Sequence, residues 1–158
     1  MENEKISQPN NTHTEKNPVG RFMVAVGAVI VQKDTGKILI TQRASSEDWH
    51  PNEWEITYGR IDQHEGTEKG LKREVSEENG IDDLAIKGVL RVWHIYRGPE
   101  TAENELIGIT YVCETTAQKV SISHEHQAYR WVTPEEALEL ISVEGIRKDI
   151  ENYIRLRE

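Results

Sequence analysis

Apolar and polar positions along the chain switch between two rhythms. "RFMVAVGAVIVQ", beginning at Arg21, is a continuous apolar run rich in β-branched residues, the pattern of a buried strand. "KDTGK" places Asp34 and Gly36 where a turn needs them, and "ILITQRA" follows as a second strand, so the two form a hairpin. After the polar stretch "SSEDWHPNE", "WEIT" reads as a short strand. The rhythm then becomes helical. Gly66 or Thr67 caps the start, Leu71 and Val75 sit four apart on the buried face, and Gly80 stands where a left-handed C-terminal residue is expected. Gly70, in mid-helix, points to close backbone packing.

Downstream, "LAIKGVLRVWHIYRG" and "ELIGITYVCETT" read as long strands joined by "PETAEN", and "AYRWVT" as a shorter one. Thr133, Pro134 and Glu136 make a capping-box start for "PEEALELI". A last helix over about 144–157 carries Ile146, Ile150, Tyr153 and Ile154 at helical spacing. The order of elements predicts an α/β protein, a central mixed sheet with helices on both faces. Residues 1–20 are polar and read as a disordered tail before a single domain over 21–158.

Charge narrows the partners. With 28 acidic and 19 basic residues, a net charge of −9 and no basic run, the sequence argues against nucleic acid. An anionic small molecule stays compatible with this charge if a divalent cation supplies positive charge locally. No apolar run reaches the length of a membrane span, the single cysteine, Cys113, has no partner for a disulfide, and the start lacks a signal-peptide pattern. The expectation is a cytoplasmic protein, with a homodimer compatible with the sequence.

The chemistry concentrates in "GRIDQHEGTEKGLKREVSEENGI", residues 59 to 81, which holds six carboxylates. Glu74, Glu77 and Glu78 fall at i, i+3 and i+4, one patch of a helix. At about 5 Å and an effective dielectric near 20, each ionised pair repels by roughly 3 kcal/mol. Either the patch is a solvated acidic face or a cation belongs among the three. Oxygen-rich patches of this kind suit hard cations such as Mg²⁺, which bridge carboxylates to phosphates.

Read whole, the segment resembles the Nudix box: Gly59, Glu65, Arg73-Glu74-Val75, Glu77-Glu78 and Gly80-Ile81 stand at the spacing that defines it. The likeness extends from about Arg21 to Ile141, through "ILITQRA", "PNEW" and "YRWVTPEEA". It implies a Nudix-type α/β/α sandwich and hydrolysis of a diphosphate bond in a nucleoside diphosphate-linked substrate, by water attack at phosphorus with Mg²⁺ or Mn²⁺. The Gly59 carbonyl, Glu74, Glu77 and Glu78 match the metal ligands, and Arg73 matches a residue that orients a glutamate, here Glu65. The general base stays open between Glu74 and Glu125. Arg43 matches an arginine that reaches substrate phosphate, and Trp49 and Trp93 are candidates to stack on a base; Trp54 and Trp131 read as core.

Two departures from the family pattern fall around the Gly59 carbonyl, which the likeness puts in a loop. Thr57-Tyr58-Gly59 replaces Pro-Gly-Gly, so Tyr58 must strain or the loop must run differently, and His64 stands where glycine commonly precedes the first box glutamate. Two other readings follow from the likeness. One is a nucleotide-binding regulator without turnover, which usually lacks box glutamates. The other is an isopentenyl-diphosphate isomerase, which needs a cysteine in the loop before the box. His50, His94, His124 and His126 lack the cysteine partners and helical spacing of a zinc site.

Overall fold

A computed structural model describes residues 19–158; the expected tail over 1–20 lies, apart from its last two residues, outside them. The strands are β1 (Met23–Gln32), β2 (Ile38–Arg43), β3 (Trp54–Glu55), β4 (Thr57–Arg60), β5 (Ala85–Tyr96), β6 (Glu105–Thr115) and β7 (His126–Val132). The helices are α1 (Thr67–Asn79), α2 (Pro134–Leu140) and α3 (Glu144–Arg157). Among the described residues all seven strands join one mixed sheet. β1 lies at its centre, parallel to β6 on one side and antiparallel to β2 and β4 on the other. β7 and β3 extend the sheet from β2, and β5 closes the far edge against β6.

The unbroken apolar run of β1 has a simple cause. Alternate residues of a strand point to opposite faces, and here both faces are covered. Val26, Ala28 and Ile30 pack with Leu71 and Val75 of α1. Val29 and Val31 pack with Ile38, Ile40, Ala137, Ile146 and Ile150 beneath α2 and α3. Among the described residues no helix is long and apolar enough to cross a membrane.

Local signals explain most boundaries. Gly36 takes φ +69° in the β1–β2 turn, and its N–H donates to the Gln32 carbonyl at 2.8 Å. Gly80 ends α1 at φ +64°, and Thr133 and Glu136 close a full capping box on α2. Gly70 has little room for a side chain: a Cβ there would lie 2.3 Å from Ile61 Cδ1 and 2.9 Å from Glu65 Oε2.

"WEIT" is not one strand. The chain turns at the buried Ile56, so that β3 pairs with β2 while β4 pairs with β1, and β4 runs on through Tyr58, Gly59 and Arg60. Gly59 therefore sits in a strand opposite Val26 rather than in the expected loop. Tyr58 is not strained, because its backbone is extended and Gly27 on β1 leaves space for its ring. The left-handed conformation moves instead to His64, at φ +67°. Such a φ disfavours a β-branched side chain by roughly 1–2 kcal/mol. His64→Val is thus expected to lose about that much stability in urea titration, while His64→Gly stays within about 0.5 kcal/mol of the parent, strain relief offsetting added chain entropy.

Candidate active site

The acidic face of α1 meets β4 and the segment before β7 at one end of the sheet. Two sets of contacts hold the helix there. Asn79 Nδ2 donates to Thr57 Oγ1 at 2.8 Å, fixing the helix end to β4. The carbonyls of Glu78 and Asn79, left without partners inside the helix, accept N–H bonds of 3.0 Å from Ser123 and Ser121. That second contact carries the chain to Glu125 beside Glu78, and Ala44 N–H fixes the Glu125 carbonyl at 2.8 Å. Gly59, Glu74, Glu78 and Glu125 line one cavity of about 960 Å³.

Arg73 organises the outer half of this face. Its guanidinium grips Glu65 with two bonds, Nε to Oε1 at 2.7 Å and Nη2 to Oε2 at 2.8 Å. It also reaches Glu74 at 2.8 Å, Glu77 at 3.2 Å and the Arg60 carbonyl at 3.1 Å. The hydrogen bonds from Arg73, followed by the Asp62 N–H, hold the Glu65 carboxyl down to about 2. Glu77 faces Arg73 and solvent with its side chain 61 % exposed, and it does not line the cavity.

Glu78 is in the opposite situation. It is 7 % exposed, and among the described residues its carboxylate makes no hydrogen bond and no ion pair. Burial, then Glu125, Glu74 and Glu55, push it up to about 9. Burial likewise raises Glu74, with Arg73 opposing. The Glu74 carboxyl lies directly on the Gly59 backbone: a Cβ on Gly59 would come within 2.1 Å of Glu74 Cδ, so any larger residue would displace it.

These donors fit a hard divalent cation in chemistry, since all are oxygens and one is a buried carboxylate that forms no ion pair among the described residues. Their arrangement is loose, as among the described residues no three His, Cys, Asp or Glu side chains converge as a metal cluster. Glu78 also sets a pH dependence. A carboxyl raised on folding stabilises the fold fully below its unfolded value of 4.5, and that contribution fades as pH rises toward about 9. In chelator, the melting temperature is expected to fall across this window. Glu78→Gln should flatten the decline, and a slope unchanged by that substitution would contradict the burial described here.

Arg43 lines the cavity, and each of its three guanidinium nitrogens donates one hydrogen bond. It donates to the Trp49 carbonyl at 2.5 Å, to Glu47 at 3.1 Å and to Glu55 at 3.3 Å, which anchors the loop after β2. Trp49 and Trp93 both line the cavity. Trp54 is half-buried under the Arg130 guanidinium, 5.0 Å from its ring centroid, and also reaches the cavity. Trp131 packs at the edge of the α1-side core. Cys113 is buried on β6 away from the cavity, with its thiol pushed up to about 12 by burial, which leaves no cysteine where an isomerase would need one.

Several residues here went unassigned in the sequence. Glu55 braces Arg43 and lies 2.9 Å from His126 Nε2, beside Glu78. Asp149 is 0 % exposed and receives Tyr58 Oη at 2.8 Å, Thr110 Oγ1 at 2.8 Å and Arg91 Nε. A signal existed for Asp149, a carboxylate inside the apolar stripe of Ile146, Ile150 and Tyr153. Glu55 and His126 meet across two strands, and nothing in their local sequence marks them.

A mixed sheet between helices, with the box helix feeding its acidic face into a cavity at the sheet's end, defines a hydrolase of the Nudix type. The family model described as NUDIX domain matches residues 21–153, and the chain belongs to the Nudix hydrolase family of pyrophosphohydrolases, whose members generally use divalent cations. It is 30 % identical to a CTP pyrophosphohydrolase of Escherichia coli, with 74 % of this chain and 81 % of the relative aligned. It is 28 % identical to the nucleoside triphosphatase NudI of Escherichia coli, covering 68 % of this chain and 79 % of the relative. A solved MutT protein from Methanosarcina mazei Go1 shares the fold at a TM-score of 0.73 and 23 % identity, over 89 % of this chain and 98 % of that one.

Proposed function

We propose that this protein hydrolyses a diphosphate bond of a nucleoside triphosphate or similar nucleotide by water attack at phosphorus, with Mg²⁺ or Mn²⁺. The observation that carries the reading is Glu78, a buried carboxylate with no ion pair among the described residues, set with Glu74 and Glu125 at the foot of a cavity of nucleotide size. The relatives named for CTP and nucleoside triphosphates put that class of substrate first.

In this reading the Gly59 carbonyl, Glu74, Glu77 and Glu78 hold the cation, with Glu77 turning inward from Arg73. When bound, the cation neutralises phosphate charge and lowers the pKa of a water. Arg73 keeps Glu65 and Glu74 oriented. Glu125 or Glu74 takes the proton from the attacking water; both line the cavity, and among the described residues Arg73 holds Glu74 while no arginine pairs with Glu125. Arg43 meets phosphate by exchanging Glu47, the more exposed of its two carboxylate partners. Trp49 and Trp93 flank the base.

The test is a hydrolysis panel of nucleoside triphosphates, ADP-ribose and dinucleoside polyphosphates, each with Mg²⁺, with Mn²⁺ and with EDTA. The expected result is release of pyrophosphate or phosphate from at least one triphosphate, falling by at least about 100-fold in EDTA. Tight nucleotide binding with no turnover under any metal would overturn the reading in favour of a regulator.

A further inference from the structure

At the α3 side of the same cavity, a second group of residues is built with equal care. Asp149, fully buried on α3, accepts from Tyr58, Thr110 and Arg91. Thr110 in turn accepts from Trp93 Nε1 at 2.9 Å. Two glycines make room for the rings. A Cβ on Gly27 would fall 2.4 Å from the Tyr58 ring, and one on Gly108 would fall 2.1 Å from the Trp93 indole. Tyr58 and Trp93 meet edge to face with centroids 5.9 Å apart, and the Arg91 guanidinium lies 5.8 Å from the Trp93 centroid. Tyr58, Arg91 and Trp93 all line the cavity.

Arg91 is the informative member. A guanidinium carries five N–H donors. Nε gives one to Asp149, and Nη2 gives one to the Gly145 carbonyl at 2.9 Å. Among the described residues Nη1 has no partner, so three donors remain, and the side chain is still 21 % exposed at the cavity wall. Its charge is already matched by the buried carboxylate, which makes it a poor clamp for polyphosphate. What it offers instead is a rigid pair of donors beside an aromatic ring, suited to two adjacent acceptors on a flat ligand.

We infer that Arg91, held in place by Asp149, reads the nucleobase and selects one that presents a carbonyl oxygen next to an acceptor ring nitrogen. Guanine through O6 and N7 and cytosine through O2 and N3 have such an edge. Adenine pairs its ring nitrogens with an amino donor, and uracil places an N–H between its carbonyls. Asp149 acts as a positioning residue, with Tyr58 and Thr110 completing its hydrogen bonds. The inference rests on the nucleotide reading above and adds the class of base.

The experiment measures calorimetric binding of CMP, GMP, AMP, UMP and ribose 5-phosphate to the full chain and to Arg91→Met, with hydrolysis of the matching triphosphates followed in parallel. The parent should bind CMP, GMP or both at least about 10-fold more tightly than AMP, UMP and ribose 5-phosphate, and Arg91→Met should remove that preference while leaving the weaker ligands unchanged. Asp149→Asn should weaken the same ligands, and Arg91→Met/Asp149→Asn should be no worse than the single changes, as expected of residues acting through one group. If Asp149→Asn does not fold, Arg91→Met alone decides. A parent that binds all bases alike, or an Arg91→Met variant that keeps the preference, overturns the inference. Base-selective binding without turnover would overturn the hydrolytic reading and leave this one standing; turnover with base-blind binding would do the reverse.

Discussion

Glu78→Gln is expected to lower kcat by roughly 100- to 1,000-fold at saturating Mg²⁺, the equivalent of about 3–4 kcal/mol of transition-state stabilisation. Glutamine keeps the shape and removes the charge. Because Glu78 is buried beside Glu74 and Glu125, with the charge of Arg43 offsetting this only in part and no ion pair to it among the described residues, the same substitution relieves the metal-free fold. Two opposite effects should therefore appear in one variant: a melting temperature in EDTA at pH 8 raised by a few degrees, about the shift expected from 1 kcal/mol or less, and a near-complete loss of turnover. A merely structural glutamate would lose both together. Turnover within a few-fold of the parent would remove Glu78 from the site.

Arg73→Met is expected to lower kcat/KM by about 10- to 100-fold without removing any cation-binding oxygen. The side chain joins Glu65, Glu74, Glu77 and the Arg60 carbonyl, so its loss frees three carboxylates at once. The defect should lie mainly in the Mg²⁺ concentration needed for half-maximal rate, and excess Mg²⁺ should recover part of it. Stability carries its own signature. Glu65 is held low, at about 2, so its pairing stabilises the fold above its unfolded value of 4.5 and that contribution disappears as pH falls toward 2. The stability gap between parent and variant should therefore narrow on acidification. A gap constant with pH, together with an unchanged Mg²⁺ requirement, would reduce Arg73 to a surface ion pair.

The elements were legible where local pattern and tertiary demand agree. β1 announced itself because both faces are covered, α1 because Leu71 and Val75 mark a buried face and Gly80 an end, and α2 because its capping box is written in adjacent residues. The acidic face was readable for a similar reason, since spacing along one helix dictates which side chains share a side. The break at Ile56 was not readable: whether "WEIT" continues or turns depends on β1 and β2 both being available as partners. Likewise Tyr58 looked like a misfit in a glycine-rich loop until Gly27 and Asp149, far away in sequence, supplied its space and its acceptor. Glu77 shows the limit within the helix itself, because shared spacing with Glu74 and Glu78 does not stop Arg73 from drawing it outward.

The central place of β1 has a consequence for how the molecule comes into being. This strand is among the first of the described segments to leave the ribosome, yet its parallel neighbour β6 emerges only after the box helix and β5 have been made. Until then one whole edge of an apolar ribbon stands open, and its closure waits on a long-range encounter rather than a local turn. The nascent chain must therefore be shielded, or simply escape wrong partners, before the acidic helix has a sheet to rest on.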